Sequence, residues 1–311
     1  MKSRCLALAA IAGVVAWSSC SEDDVAQPEP EPLPEDPPQY VLQWGSVGSG
    51  QGEFRDPWDV AVDNDGNVYV ADRTNHRIQK FDGDGNFLLA WGTPGTGDGQ
   101  FDYPEGVAVD TTDTVFVADI GNQRVQVFDS DGNYAREWSV NVPSAIAVDL
   151  GRDVYVVTQW YSVAKFDAFG NHRFTFGGED DGSHDPGRFD VVGGVATDSS
   201  GNVYATDQLN NRVQRFNGNG GFMIMWGSRG SGNGEFVGPI GVAIDGKRDV
   251  YVVDYKNYRV QKFTQFGQFL TRWGSQGDGN GQFSLPVGIA VDTAGNIFVA
   301  DMNNNRIQKF R

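Results

Sequence analysis

In five copies of one recurring run an aspartate stands five residues before an arginine, as in "VADRTNHRIQKF" (70–81) and "VADMNNNRIQKF" (299–310). A carboxylate held beside a guanidinium is a pair that acid–base chemistry or anion binding could use. Catalysis needs one unique site, however, and the pairs recur as Asp72/Arg77, Asp119/Arg124, Asp207/Arg212, Asp254/Arg259 and Asp301/Arg306. Their repetition reads as architecture, with short polar side chains ordering a turn by accepting hydrogen bonds from backbone amides.

Other chemistry-bearing residues form no constellation. Of the three histidines, His76 falls in the turn between the second and third strands of the first unit. His172 and His184 lie around the fourth strand of the fourth, a placement without the convergence a zinc site needs. "DNDGN" (63–67), "DGDGN" (82–86) and "DSDGN" (129–133) imitate the start of a calcium loop. With the aspartate as position one, the twelfth position is Thr93 counting from Asp82 and Val140 counting from Asp129, where such a loop needs a bidentate glutamate. Tight turns use the same residues for backbone reasons. No catalytic or metal-ligating set is assigned and no cofactor is expected; calcium is the one ion these turns partly suit.

The elements that must position the remaining candidates come from an internal repeat. "VAVD" at 60–63 returns as "VAVD" (107–110), "IAVD" (146–149), "VATD" (195–198), "VAID" (242–245) and "IAVD" (289–292). Each is followed by a glycine or asparagine turn, an alternating strand such as "VYVAD", a polar turn and a third strand such as "RIQKF". A fourth strand then closes on Trp91, Trp138, Phe176, Trp226 or Trp273. Four short strands in every 40–50 residues predict an all-β, six-bladed propeller of four-stranded antiparallel blades. Only five fourth strands follow the six units. The sixth is "YVLQWG" at 40–45, expected to pair with Arg306–Phe310 and complete the last blade, so that the ring has no open edge.

This pattern resembles the NHL repeat family across residues 40–311. The resemblance implies a protein-binding scaffold, and the expected function is non-enzymatic: binding of a protein, peptide or glycan ligand at the loop face by a monomer. Some relatives bind RNA through a basic face. Here 24 Lys and Arg face 41 Asp and Glu, a formal charge of −17, which excludes nucleic acid as the expected partner. The alternative is a metal-dependent propeller enzyme. The propeller is similar to that of peptidyl-α-hydroxyglycine α-amidating lyases, which use channel histidines. A gluconolactonase-like reaction would draw on Glu105 and Asp59.

If repetition marks scaffold, departure marks candidate function. Before each "VAVD" the residues read Trp58-Asp59, Glu105-Gly106, Ser144-Ala145, Gly193-Gly194, Ile240-Gly241 and Val287-Gly288. After the turn aspartate stand Arg73, Ile120, Gln208, Tyr255 and Met302, and the third unit replaces the pair altogether with "VVTQWYSVAKF". The ligand-binding candidates are Trp58, Asp59, Arg73, Glu105, Gln159, Trp160, Tyr161 and Tyr255, aromatic and polar groups suited to stacking and hydrogen bonding. Trp44, Trp91, Trp138, Trp226 and Trp273 are assigned to packing.

The N-terminus carries targeting information. Residues 1–19 read as a signal peptide with a basic start and a short apolar run. "AWSSC" resembles the lipobox of bacterial lipoproteins, which makes Cys20 the lipidated residue of a membrane-anchored protein at the periplasmic face or cell surface. Residues 20–39 add an acidic, proline-rich linker: 21–39 hold six prolines and seven acids, too little apolar surface to fold.

Overall fold

The computed structural model describes residues 35–311. The signal peptide, Cys20 and the linker as far as residue 34 lie outside the described residues. Six four-stranded antiparallel sheets make up the propeller. Blade 1, from the channel outward, is Pro57–Val62, Val68–Asp72, Arg77–Phe81 and Phe87–Trp91. Blades 2 to 5 repeat the order, with outer strands Tyr134–Ser139, His172–Gly177, Phe222–Trp226 and Phe269–Trp273. In blade 6 the outer strand is Tyr40–Trp44, paired antiparallel with Arg306–Phe310 through Tyr40↔Phe310 and Trp44↔Ile307. The expected ring closure is therefore present.

Burial explains the sequence pattern. Each sheet is covered on both faces by its neighbours, so second and third strands such as Val115–Asp119 and Arg124–Phe128 are buried throughout. The outer strand Phe87–Trp91 instead alternates partly buried and exposed positions. Its inward aromatic packs on the third-strand phenylalanine of the next blade: Trp44 on Phe81 at 5.7 Å, Trp91 on Phe128 at 5.6 Å, Phe176 on Phe216 at 5.0 Å. Each buried aromatic contributes about 1.5–3 kcal/mol. A hairpin glycine completes the fit. A Cβ on Gly85 would lie 2.8 Å from the Trp44 ring, and its φ of +81° suits glycine alone.

The seam between blades 5 and 6 uses a substitute part. After blades 1, 3 and 6 a third-strand lysine clasps the next blade's outer hairpin, Lys80 donating to Ser130 O (3.1 Å), Lys165 to Gly218 O (3.2 Å) and Lys309 to Gly83 O (2.7 Å). Blade 6 has no such hairpin, because its outer strand enters from the N-terminal side. Lys262 donates instead to Glu35 at 2.6 Å, and Glu35 N–H donates to Leu270 O. Residues 35–39, read from sequence as linker, thus lie against the propeller. Leu270 is 4% exposed beneath them, whereas its counterparts Leu88 and Met223 are 47% and 43% exposed.

Candidate functional site

The two ends of the ring are built differently. At one end lie the hairpins between first and second strands, where Asp63 takes N–H bonds from Asp65 and Asn67 and further bonds from the Asn67 amide and the Tyr69 hydroxyl. Asp198 repeats the arrangement in blade 4 with Ser200, Asn202 and Tyr204. These calcium-like turns spend their aspartate oxygens on the backbone and neighbouring side chains.

The recurrent Asp–Arg pairs also prove architectural, with a wider reach than the turn. Asp72 accepts from Arg55 N, Arg77 Nε (2.7 Å) and Gln79 Nε2. Arg77 in turn donates to the carbonyls of Ser49, Gly50 and Glu53, in the long loop that precedes the blade. Arg124, Arg212, Arg259 and Arg306 do the same in blades 2, 4, 5 and 6. These aspartates are fully buried, so each pair is a charge-neutral anchor with its donors satisfied.

At the opposite end the loops gather around the channel mouth. The residue leading each inner strand into the channel has a left-handed backbone: Asp56, Tyr103, Val142, Val191, Gly238 and Leu285, with φ between 50° and 68°. Only one is glycine, and such residues store about 1–3 kcal/mol each. Side chains of the preceding blade hold three of them, the N–H of Asp56 donating to Asn305, that of Tyr103 to His76 Nδ1 and that of Gly238 to Asn211. His76 therefore has a structural partner here. His172 begins the outer strand of the third blade, not the fourth, and His184 lies in the loop leading to the fourth.

Below the mouth the channel is nearly closed, at about 40 Å³. The inner strands approach so closely that a Cβ on Gly194 would lie 2.5 Å from Ile240 O, and one on Gly288 2.6 Å from Asp59 Cα. Where four blades have glycine, Asp59 inserts a carboxyl and accepts the Val107 N–H at 3.1 Å. Burial raises its pKa to about 7 against the pull of the Val107 and Val60 amides.

Above the constriction opens a cleft of about 330 Å³ whose walls include Trp58, Arg73, Glu105, Trp160, Gln208 and Tyr255. Arg73 is its organising group. Its guanidinium carbon lies 4.9 Å from the Trp58 ring and 5.0 Å from the Tyr103 ring, and its Nε donates to Glu105 Oε1 at 2.9 Å. The Nη atoms have no hydrogen bond among the described residues, so the fork is oriented and still open to a ligand. Burial raises the pKa of Glu105, and Arg73 opposes the shift. Ser144, 6% exposed, also lines the cleft, and its buried hydroxyl has no hydrogen-bond partner among the described residues.

Of the eight candidates, Trp58, Arg73, Glu105, Trp160 and Tyr255 thus meet in one cleft, with Asp59 beneath them. Gln159 and Tyr161 do not join. The third-blade turn carries left-handed residues at both Gln159 and Trp160, which sends Trp160 to the mouth and Gln159 to a groove on the blade's flank. Tyr161 lines neither. Sequence reading missed Tyr103, whose only signal was an aromatic where other blades carry Asp56, Gly238 or Leu285. It also passed over Ser144 and Gln208, both visible as departures from the repeat.

Comparison with known proteins agrees with this architecture. The model of the NHL repeat matches residues 54–81, 101–128, 236–263 and 283–310, in blades 1, 2, 5 and 6. Protein lin-41 of Caenorhabditis elegans is 54% identical over 48 residues, 15% of this chain and 4% of that protein. E3 ubiquitin-protein ligase TRIM71 of Rattus norvegicus is 51% identical over 47 residues, 15% of this chain and 6% of the ligase. The matched stretch is thus a small fraction of those relatives. Among solved structures, a protein of unknown function from Bacteroides thetaiotaomicron superposes with a TM-score of 0.66 at 19% identity, covering 86% of this chain and 76% of that one. Streptogramin B lyase gives 0.60 at 13% identity, covering 88% and 97%. Both likenesses show the fold alone. The chain carries NHL repeats, matched in four of the six blades of its propeller.

Proposed function

We propose that this propeller is a non-enzymatic interaction module that binds a protein or peptide, or a glycan, at the channel mouth. One observation carries the reading: side chains that leave the repeat pattern, contributed by five blades, converge on a single cleft around a guanidinium held between two aromatic rings. Trp58, Trp160 and Tyr255 offer faces for stacking, and Arg73, Glu105 and Ser144 offer hydrogen bonds. The nearly closed channel makes this a surface for capture at the rim. The matches to lin-41 and TRIM71 support a scaffold role without transferring those proteins' activities.

The proposal extends to location. The leader and Cys20 make the protein a lipid-anchored one outside the cytoplasm, at the periplasmic face or cell surface. Residues 35–39 lie against the propeller at its hairpin end, the end opposite the cleft. No helix among the described residues is long and apolar enough to cross a membrane.

The enzymatic alternative draws on the fold shared with streptogramin B lyase. A catalytically inactive form of the related virginiamycin B lyase has a histidine replaced by alanine, and no histidine lines the cleft here. The test is affinity capture from a surface-protein extract by the full chain, compared with a Trp58→Ala/Trp160→Ala double variant. The expected result is a captured partner lost about 100-fold in the variant, which melts as the parent does. Equal capture by both overturns the cleft assignment. Turnover of a streptogramin B, or a tightly held metal in the purified chain, favours the enzyme.

A further inference from the structure

Arg73 and the repeat arginines use the same group in opposite ways. Arg259 spends both Nη atoms on carbonyls of the chain, those of Ser231, Gly232 and Glu235, and its counterparts in the other blades do likewise. Arg73 donates from Nε to Glu105 Oε1, and its two Nη atoms have no hydrogen bond among the described residues. It stands just after the turn aspartate, where other blades carry Ile120, Gln208, Tyr255 and Met302. Among the walls of the cleft it is the one cation, and Glu105 is the one acid.

The contacts that fix Arg73 also decide which part of it remains for a ligand. Rings of Trp58 and Tyr103 lie 4.9 and 5.0 Å from the guanidinium carbon, and Glu105 takes the Nε. What is left is the edge formed by Nη1 and Nη2, whose parallel N–H bonds match the two oxygens of a carboxylate. Glu105 is buried and committed to Nε, so it offsets the charge of Arg73 without closing that edge. The side chain is already held, and a ligand orders no flexible stem on binding. With 41 acidic against 24 basic residues, long-range attraction does not favour an anion, and capture rests on this local fork.

The enclosure selects a chain end. The cleft holds about 330 Å³, at the lower limit of the about 300–1,000 Å³ typical of ligand pockets. Beneath it the channel narrows to about 40 Å³, which blocks a peptide from threading through the ring.

We infer that the cleft captures the C-terminal end of a peptide, with the terminal carboxylate held bidentately by Nη1 and Nη2 of Arg73 and the last side chain stacked among Trp58, Trp160 and Tyr255. This deepens the binding role proposed above and rests on it. Gln208, on the same walls, supplies an amide to the peptide backbone.

The test titrates the N-acetylated tetrapeptide glycine-serine-glycine-phenylalanine, with a free C-terminus, calorimetrically into the full chain. Saturable binding at about 1 mM or tighter is expected, and the C-terminal amide of the same peptide should bind about tenfold more weakly. Arg73→Lys keeps the charge and loses the fork, so the preference for acid over amide should fall to about twofold, a ratio that a merely structural role of Arg73 would not move. No saturable binding of the acid, equal binding of acid and amide by the parent, or an unchanged preference in Arg73→Lys overturns the inference. The peptide amide with aspartate in place of its second glycine separates the sources of the carboxylate: binding as tight as that of the free acid overturns the assignment to a chain end. Methyl glucuronide binding more tightly than the peptide acid moves the site to an acidic glycan and overturns it too. Partner capture that still depends on Trp58 and Trp160, with no preference for the acid, sinks this inference alone; capture independent of both tryptophans sinks the cleft reading with it.

Discussion

Blades 3 and 5 build the same sheet but differ at the residues that grip the preceding loop, and the difference shows what the repeat is for. In blade 5, Asp254 is fully buried and receives Arg259 at 2.7 Å, while Arg259 and Gln261 hold the carbonyls of Ser231, Gly232 and Glu235. In blade 3, Thr158 and Ser162 occupy those places, with Thr158 hydroxyl donating to Asn141 O at 2.6 Å. The sheet is the same in both. The ionic grip is therefore not what makes a blade. It fastens a long loop, and where the loop is absent the grip is absent too.

The largest test of that comparison is Arg259→Ala. It leaves Asp254 charged and buried without its partner and frees three carbonyls, which costs about 3–5 kcal/mol. Ser162→Ala at the corresponding place costs less than about 0.5 kcal/mol. Denaturant unfolding of the two variants measures both, and equal losses would break the comparison.

The inner ring offers a second contrast, of Asp59 with the glycines at the same position in four other blades. Folding raises the Asp59 pKa from 3.8 to about 7, chiefly by burial. The protonated form is therefore the one that folding favours. Its contribution is complete below about pH 4 and is lost as the pH rises through about 7, with an upper bound of roughly 4 kcal/mol. Asp59→Asn should flatten the fall in stability across that window, as read from melting curves at stepped pH. An unchanged slope would mean that the carboxyl is solvated in solution.

A smaller effect is expected at the glycine under the loop phenylalanine. Gly227→Ser, at φ +109° and with its new Cβ 2.8 Å from the Phe236 ring, costs about 1–3 kcal/mol. The reverse change in blade 3, Ser139→Gly, costs about 1 kcal/mol or less. A thermal melt of each sharpens the comparison, since only a slot filled by a phenylalanine ring, and not by the smaller Val140, should enforce the glycine.

Much of the propeller was legible because its causes are local and repeated. Alternating Val, Tyr and Ile with turn residues at constant spacing specify strands and hairpins six times over. The unmatched "YVLQWG" could belong only to the unit lacking a fourth strand. Trp58, Arg73, Glu105 and Tyr255 were found as departures from the repeat, and their shared cleft follows from their common place in each unit. The turn of blade 3 defeated the same logic. With one residue fewer than its sisters and two left-handed residues in succession, it parts Gln159 from Trp160. Spacing alone does not report such a turn.

The amino-acid order thus determined the blade count, the strand that closes the ring and the distinction between repeating frame and varying rim, because each rests on periodicity and on short-range backbone chemistry. Only the tertiary structure decided that Tyr103 packs on Arg73, that Asp59 sits in a nearly closed channel, that Glu35 serves as the seam's acceptor and that Val140 takes, in blade 3, the place a loop phenylalanine holds elsewhere. Those facts depend on which surfaces meet when six sheets close into a circle. Contacts between residues tens to hundreds of positions apart are fixed by that closure and leave no mark on local spacing.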